Sequence, residues 1–373
     1  MDGTRDVLFF LPDLDGGGAQ RTVINLANRL PRDRFQATMV AVRADGPMRD
    51  WLDKDIRLID LNAGRIRHAI RPLRNVVLDL SPDILFSTIL DANIVSTVAT
   101  RALRSRPQLV LRETNSLRAR GDIGPMRRKL ARWAYARADA IVALSYGVAD
   151  ELLADFFLRP ERLHTIWNPV DLATVRNRAS EATPSLNSFD GITLVAAGRL
   201  HHQKGFDILI RALALLSRPD LRLIILGDGG EADSLRDLVR RSDLKDKVRF
   251  LGFVDNPYPW IAAGDLFVLP SRWEGFGHVL VEAMALGTAV LSTDCPHGPA
   301  DIIESEVDGR LVANDDIEAL AAAIDDLANR PEIRAKFTSE GAVKAERFDA
   351  ERIAEEYTSL FDGLWPAPDV EAI

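Results

Sequence analysis

Short apolar runs separated by stretches of helical periodicity recur along the whole chain. Runs of strand length occupy residues 7–11, 37–42, 84–87, 109–111 and 140–143, and a second series occupies 192–196, 222–226, 248–251, 266–269 and 289–292. Apolar strands alternating with helices are the pattern of α/β units wound into parallel sheets. Between the two series, residues 165–191 lose apolar periodicity and accumulate Pro, Asn and Ser, which reads as an interdomain connection. The pattern therefore predicts two doubly wound domains, residues 1–170 and 171–348, followed by a helix over 349–364. Two such domains with a cleft between them would hold two ligands on opposite walls.

Composition narrows the setting. A chain of 373 residues with 47% apolar and 27% charged side chains can bury two cores. Cys295 is the single cysteine, so no internal disulfide forms and a reduced, cytoplasmic location is expected; the residue is either a packing residue or a nucleophile. No stretch reaches eighteen apolar residues, which excludes a spanning helix, and the run at 7–11 is strand length, not that of a secretory leader.

The net charge of −8 hides an asymmetry: residues 1–170 carry 26 basic against 20 acidic side chains, the remainder 21 against 35. Residues 116–137 hold Arg118, Arg120, Arg127, Arg128, Lys129, Arg132 and Arg137 against a single acid, Asp122. On a helix starting near Pro125, Met126, Leu130, Trp133 and Ala134 fall on one side and most cations on the other. Such a helix either lies on an anionic leaflet, where each surface cation contributes about 1 kcal/mol, or turns an apolar stripe to the core. Arg65, Arg67, His68, Arg71 and Arg74 form a second basic patch, which favours the leaflet. Few aromatics interleave with these cations and the protein is acidic, which argues against nucleic acid.

Candidate chemistry concentrates in the second series. The segment SRWEGFGHVLVEAMALG (271–287) holds Glu274 and Glu282 with seven residues between them, glycines at 275 and 277, and a helix-forming run from His278 to Leu286. The first amides of such a helix lack internal partners and carry the positive end of its dipole, so they can hold a diphosphate without a metal. Glu282, one turn in, can accept hydrogen bonds from ribose hydroxyls, and Glu274, before the turn, from a hexose. The plainer alternative is a glycine turn with a helix cap.

The segment VAAGRLHHQKGFDILIRALA (195–214) places Gly198, Arg199 and Lys204 after a strand, at the edge where open α/β sheets bind ligands. Two cations there suit a leaving diphosphate, although each alone could pair with a surface acid or stand in solvent. LRLIILGDGGEADSL (221–235) adds a strand, a turn containing Gly229, and a helix.

In that order and spacing, Gly198-Arg199 with Lys204-Gly205-Phe206-Asp207, Gly227-Asp228-Gly229, VRFLGFVDN (248–256, containing Phe253) and the two glutamates resemble glycosyltransferase family 4, retaining enzymes of GT-B architecture. GGGAQRTVINLANRL (16–30) extends the resemblance into the first half. LRETN (111–115) and DCPHGPADII (294–303) are similar to bacterial members that transfer hexoses or N-acetylhexosamines onto polyprenyl-diphosphate-linked glycans.

The resemblance implies two Rossmann-like domains facing across a cleft, with the helix at 349–364 packing back on the first. It implies Arg199, Lys204 and Glu274 as catalytic residues, with Glu282, Gly275, Phe276, Gly277, His278, Val279, Gly198, Gly229 and Phe253 around the donor. Gly16, Gly17 and Gly18 would face a donor or acceptor phosphate. Arg112 and Glu113, at a strand end, would contact sugar or acceptor, with a mutual salt bridge as the alternative. Many members have a histidine after the strand at 84–87, where this chain has Thr88, Ile89, Leu90 and Asp91; a solvated loop acid is expected of Asp91. No cofactor and no metal are implied, the nucleotide sugar being a substrate. The pairs Asp13/Asp15 and Asp53/Asp55 read as chance among 55 acids.

The expected function is retaining transfer from an NDP-sugar, UDP-linked, to a lipid-linked or surface glycan, at the inner face of the cell membrane. A non-hydrolysing sugar-nucleotide 2-epimerase shares the fold and is the alternative. A non-catalytic binding subunit is a third, against which the intact Arg199, Lys204, Glu274 and Glu282 set argues.

Overall fold

The computed structural model describes residues 4–15, 17–114, 124–156, 158–181 and 189–365. The chain divides into two compact units, one running to Pro169 and resuming at Ala350, the other from Val170 to Asp349.

The first unit runs β1 (Arg5–Leu11), α1 (Gly18–Arg29), β2 (Phe35–Ala41), β3 (Arg57–Asp60), α2 (Ile70–Leu80), β4 (Ile84–Thr88), α3 (Leu90–Thr100), β5 (Gln108–Glu113), α4 (Pro125–Tyr135), β6 (Ala140–Ala143), α5 (Tyr146–Phe156) and β7 (Leu163–Thr165). The second runs α6 (Leu172–Ala179), β8 (Ile192–Ala197), α7 (Phe206–Leu215), β9 (Leu221–Leu226), α8 (Ala232–Arg241), β10 (Val248–Gly252), α9 (Tyr258–Ala262), β11 (Leu266–Leu269), α10 (His278–Ala285), β12 (Ala289–Asp294), α11 (Pro299–Ile302), β13 (Arg310–Ala313), α12 (Ile317–Asn329) and α13 (Pro331–Ala345), before α14 (Ala350–Gly363) rejoins the first.

Each unit is a parallel sheet, ordered β3-β2-β1-β4-β5-β6-β7 and β10-β9-β8-β11-β12-β13. Parallel strands are covered on both faces, which is why they read as continuous apolar runs and not as alternating ones. In β1 successive residues serve opposite cores: Val7, Phe9 and Leu11 pack in one cluster, Leu8 and Phe10 in another. The first of these clusters takes Ile353, Tyr357 and Phe361 from α14, so that helix is part of the first unit's core.

Both sheets change winding direction after their first strand, between β1 and β4 and between β8 and β11. In open α/β sheets the crevice outside the carboxyl ends at that switch is the ligand site. In the second unit the loops leaving β8 and β11 are the ones that carry Lys204 and Glu274.

Helix α4 divides its apolar stripe, with Trp133 and Ala134 packed toward the core and Met126 and Leu130 left outside it. Its buried residues are Ala131, Ala134 and Tyr135, whereas Met126 is 72% exposed and Leu130 40%. Arg118, Arg120 and Asp122 lie outside the described residues. Among the described residues no helix is long and apolar enough to cross a membrane.

Candidate active site

The β8 and β9 loops approach so closely that glycine is required. A Cβ on Gly227 (φ +129°) would stand 1.9 Å from the Gly198 carbonyl oxygen, and one on Gly229 would stand 2.4 Å from that of Leu200. The packed loops, with Phe253, Val254 and Pro257 after β10, line a pocket of about 350 Å³. Arg199 and Asp228 lie on its wall, and the Phe253 ring is 80% exposed. Arg199 itself is exposed and has no ion pair among the described residues.

Lys204 and Glu274 meet. Lys204 Nζ donates to Glu274 Oε1 at 2.5 Å, and Ser271 Oγ donates to the same oxygen at 2.6 Å. Glu274 is buried. The backbone brings the loops together at Gly205, which adopts φ +62° with its Cβ position only 2.0 Å from the Pro270 carbonyl oxygen. Cys295 sits nearby, and burial, followed by the Glu274 carboxylate, pushes its thiol up to about 12. At neutral pH it is a protonated packing residue and not a nucleophile.

Glu282 is buried in the second turn of α10, where the Tyr258 hydroxyl is 3.4 Å from its Oε1. Gly277 caps α10 at φ +99°. His278 opens the helix with its ring 5.4 Å from that of Phe276; Gly275 and Val279 are half-buried. Phe276 does not line a donor wall with its side chain: it is buried and packs on Phe348, so only its backbone can face a ligand. Its carbonyl oxygen is 2.2 Å from where Gly298 would carry a Cβ.

In the first unit, Gly17 and Gly18 do precede and open α1; Gly16 is outside the described residues. The expectation for Arg112 and Glu113 is corrected. Both are fully buried at the end of β5, and because neighbouring strand residues face opposite sides they do not pair with each other. Arg112 donates to Tyr357 Oη (3.1 Å), Thr88 Oγ1 (3.1 Å) and Asn168 Oδ1, while Glu113 accepts from the Tyr135 hydroxyl and the Thr114 amide. Asp91 is not merely solvated: both of its oxygens accept from Arg127. Ile89, in the turn after β4, holds φ +76°, an unusual conformation for a β-branched residue.

The acid pairs are engaged as well, Asp15 by Arg43 and Asp53 and Asp55 by Arg32. Among the described residues no cluster of His, Cys, Asp or Glu could hold a metal ion. Sequence reasoning missed Ser271, Tyr258 and Arg272, which touch or brace the glutamates. Tyr258 could have been suspected from its place just after VRFLGFVDN, and Ser271 from standing three residues before Glu274; the contacts of Arg272 with His202 and Asp207 span 70 and 65 residues and leave no local signal.

The family model for Glycosyltransferase Family 4 matches residues 16–174, and that for Glycosyl transferases group 1 matches residues 181–344. The chain is 31% identical over 220 residues to the N-acetylgalactosamine-N,N'-diacetylbacillosaminyl-diphospho-undecaprenol 4-alpha-N-acetylgalactosaminyltransferase of Campylobacter jejuni, an alignment spanning 59% of each chain. It is 25% identical to an uncharacterized glycosyltransferase of Haemophilus influenzae, over 94% of this chain and 98% of that one. Anabaena Alr3699/HepE, solved in complex with UDP, superposes with a TM-score of 0.83 at 25% identity, covering 96% of this chain and all of the other. With two Rossmann-like units, paired Lys204 and Glu274 at the second unit's switch point, and family models matched to both halves, the chain belongs to the family 4, group 1 glycosyltransferases of GT-B fold.

Proposed function

We propose that this glycosyltransferase moves a sugar, with retention of configuration, from a UDP-sugar to a lipid-linked or surface glycan. The observation that carries the proposal is the Lys204–Glu274 ion pair beside the exposed Arg199, on loops at the switch point of the second unit. The pocket beside Phe253 is of a size for a nucleoside, and the exposed ring offers a stacking face. Arg199, Lys204 and the first amides of α10 then receive the diphosphate. The acceptor hydroxyl attacks C1 from the face that UDP leaves. The C1–O bond to the phosphate breaks, the C1–O bond to the acceptor forms, and the hydroxyl proton passes to the departing phosphate.

Negative charge grows on that phosphate in the transition state, and cations already in position stabilise it more there than in the ground state. Glu274 needs no covalent role. Its Oε1 is taken by Lys204 and Ser271, whereas its Oε2 carries no bond among the described residues and is left to accept from a sugar hydroxyl. Glu282 serves the ribose.

For the acceptor we favour a polyprenyl-diphosphate-linked glycan, the kind named for the Campylobacter relative. The enzyme would meet it at the cytoplasmic face of the membrane through α4, where exposed Met126 and Leu130 stand among Arg128, Lys129 and Arg132. Helix α3 packs against both α4 and α2, so the basic patch around Arg65, Arg67 and Arg71 belongs to the same face of the unit.

The test is transfer of labelled sugar from UDP-, GDP- and ADP-sugars to polyprenyl-diphosphate glycans by the parent protein and by Arg199→Ala. Arg199 is exposed and has no ion pair among the described residues, so the variant should fold normally and be slower by on the order of 10². Parental rates in Arg199→Ala, or epimerisation of the donor with no acceptor present, would sink the proposal.

A further inference from the structure

We propose that Arg272 is a positioning residue that locks the Lys204 loop to the Glu274 loop and so fixes the geometry of the ion pair on which transfer depends. The inference rests on the assignment of Lys204 and Glu274 to donor chemistry made above. Neither residue is held in place by a regular element: Lys204 ends a short 3-10 turn (His202–Lys204), and Glu274 lies in the irregular stretch between β11 and α10. Long side chains on loops keep a catalytic geometry only if the backbone beneath them is braced.

Arg272 supplies the brace. Its guanidinium forks onto Asp207 in the first turn of α7, with Nη1 to Oδ1 at 2.8 Å and Nη2 to Oδ2 at 2.9 Å. Nη1 also donates to the His202 carbonyl at 2.9 Å, and Nε stands 2.9 Å from Asp315 Oδ1. Its backbone is tied too: the Arg272 amide donates to the Gln203 carbonyl at 2.8 Å, Gln203 Nε2 returns a bond to the Trp273 carbonyl at 2.9 Å, and Asn314 Nδ2 donates to the Arg272 carbonyl at 3.0 Å. Gln203 and Trp273 are the residues immediately before Lys204 and Glu274. The latch thus crosslinks the two loops one residue short of each reacting side chain.

The parting of labour is chemical. Lys204 must share its charge with an incoming diphosphate, so the ion pair cannot by itself hold the loops as donor binds and product leaves. The Arg272 fork engages carboxylates of its own, Asp207 and Asp315. A planar bidentate pair of this kind resists rotation in a way that a lysine point charge does not.

The experiment measures kcat, KM for the UDP-sugar and the UDP dissociation constant for Arg272→Ala, Arg272→Lys, Asp207→Asn and the Arg272→Ala/Asp207→Asn double variant. Thermal unfolding of each is followed, and Lys204→Ala and Glu274→Gln serve as references. We expect Arg272→Ala to lower kcat by ten- to a hundred-fold while the UDP dissociation constant stays within about three-fold, because the pocket at Phe253 is not braced by Arg272. Arg272→Lys should recover part of the loss, and the double variant should be no slower than the worse single one. Parental kcat in a folded Arg272→Ala protein would overturn the inference, as would losses in kcat and UDP affinity of equal size or additive losses in the double variant. Were Lys204→Ala and Glu274→Gln also to turn over at the parental rate, the donor-site assignment itself would fall and not only the latch.

Discussion

Gly205→Ala tests whether rate depends on how closely the Lys204 and Glu274 loops are pressed together. Gly205 holds φ +62°, and an added Cβ would lie 2.0 Å from the Pro270 carbonyl oxygen. Real Cβ atoms do not come nearer than 3.0 Å to such a neighbour, so one loop must retreat by at least about 1 Å. Displacing reacting groups by about 1 Å costs on the order of 10² in rate. The left-handed backbone adds roughly 1–2 kcal/mol of strain for a residue with a Cβ. Gly287→Ala separates the two effects, because Gly287 has φ +72° in the same unit but its nearest neighbour would be the Thr338 methyl, at an ordinary 3.6 Å. Initial rates of sugar transfer and thermal unfolding should be measured for both. Both variants should lose a few degrees of stability from strain, and only Gly205→Ala should lose about a hundred-fold in kcat. A Gly205→Ala enzyme within three-fold of the parent, or a Gly287→Ala enzyme equally impaired, would refute the reasoning.

Two further outcomes follow from α4 and from Cys295. Replacing both Met126 and Leu130 by Ser should weaken co-sedimentation with vesicles containing anionic lipid by ten-fold or more, since burying each apolar side chain contributes up to roughly 1.5–3 kcal/mol. Parental binding should weaken as salt is raised past 0.1 M, where the Debye length is about 10 Å; binding to neutral vesicles at equal strength would count against the surface. The Cys295 thiol, raised by burial and by Glu274, should resist iodoacetamide at pH 8 in the folded protein and react only on unfolding. The sign of its linkage follows from the folded state holding the proton longer than the unfolded one: its stabilising contribution is complete below about pH 8.5 and declines as pH rises toward 12. Rapid alkylation of native protein at pH 8 would contradict this.

Apolar runs made the sheets legible because buried parallel strands need apolar residues on both faces. Residues 7–11, 192–196 and 266–269 fall inside β1, β8 and β11. The strands that escaped notice are edge strands: Arg57–Asp60, Leu163–Thr165 and Arg310–Ala313 are only three or four residues long, and none of their residues is fully buried. Glycines were readable as close approaches in kind but not in partner. Nothing local shows that Gly227 faces Gly198 or that Gly205 faces Pro270, because sheet order makes those contacts. Phe276 shows the same limit: nothing in its place between Gly275 and Gly277 points to the Phe348 ring on which it packs.

Arg112 and Glu113 show most sharply where local reading stops. Two charged residues at a strand's carboxyl end suggest a ligand, because leaving either buried without partners would be costly. The partners exist but come from afar: Asn168 lies at the last residues before the chain leaves the first unit, and Tyr357 on the helix by which it returns. Arg112 therefore fastens both crossings of the chain to β5. Among the described residues this buried guanidinium is met by a hydroxyl, a phenol and an amide and by no carboxylate, so each bond lost leaves a charge undercompensated. Arg112 thus anchors the point from which the polypeptide departs and to which it comes back, and a guanidinium suits that role because Nε, Nη1 and Nη2 donate to three separate acceptors at once, which no amide or hydroxyl side chain can do.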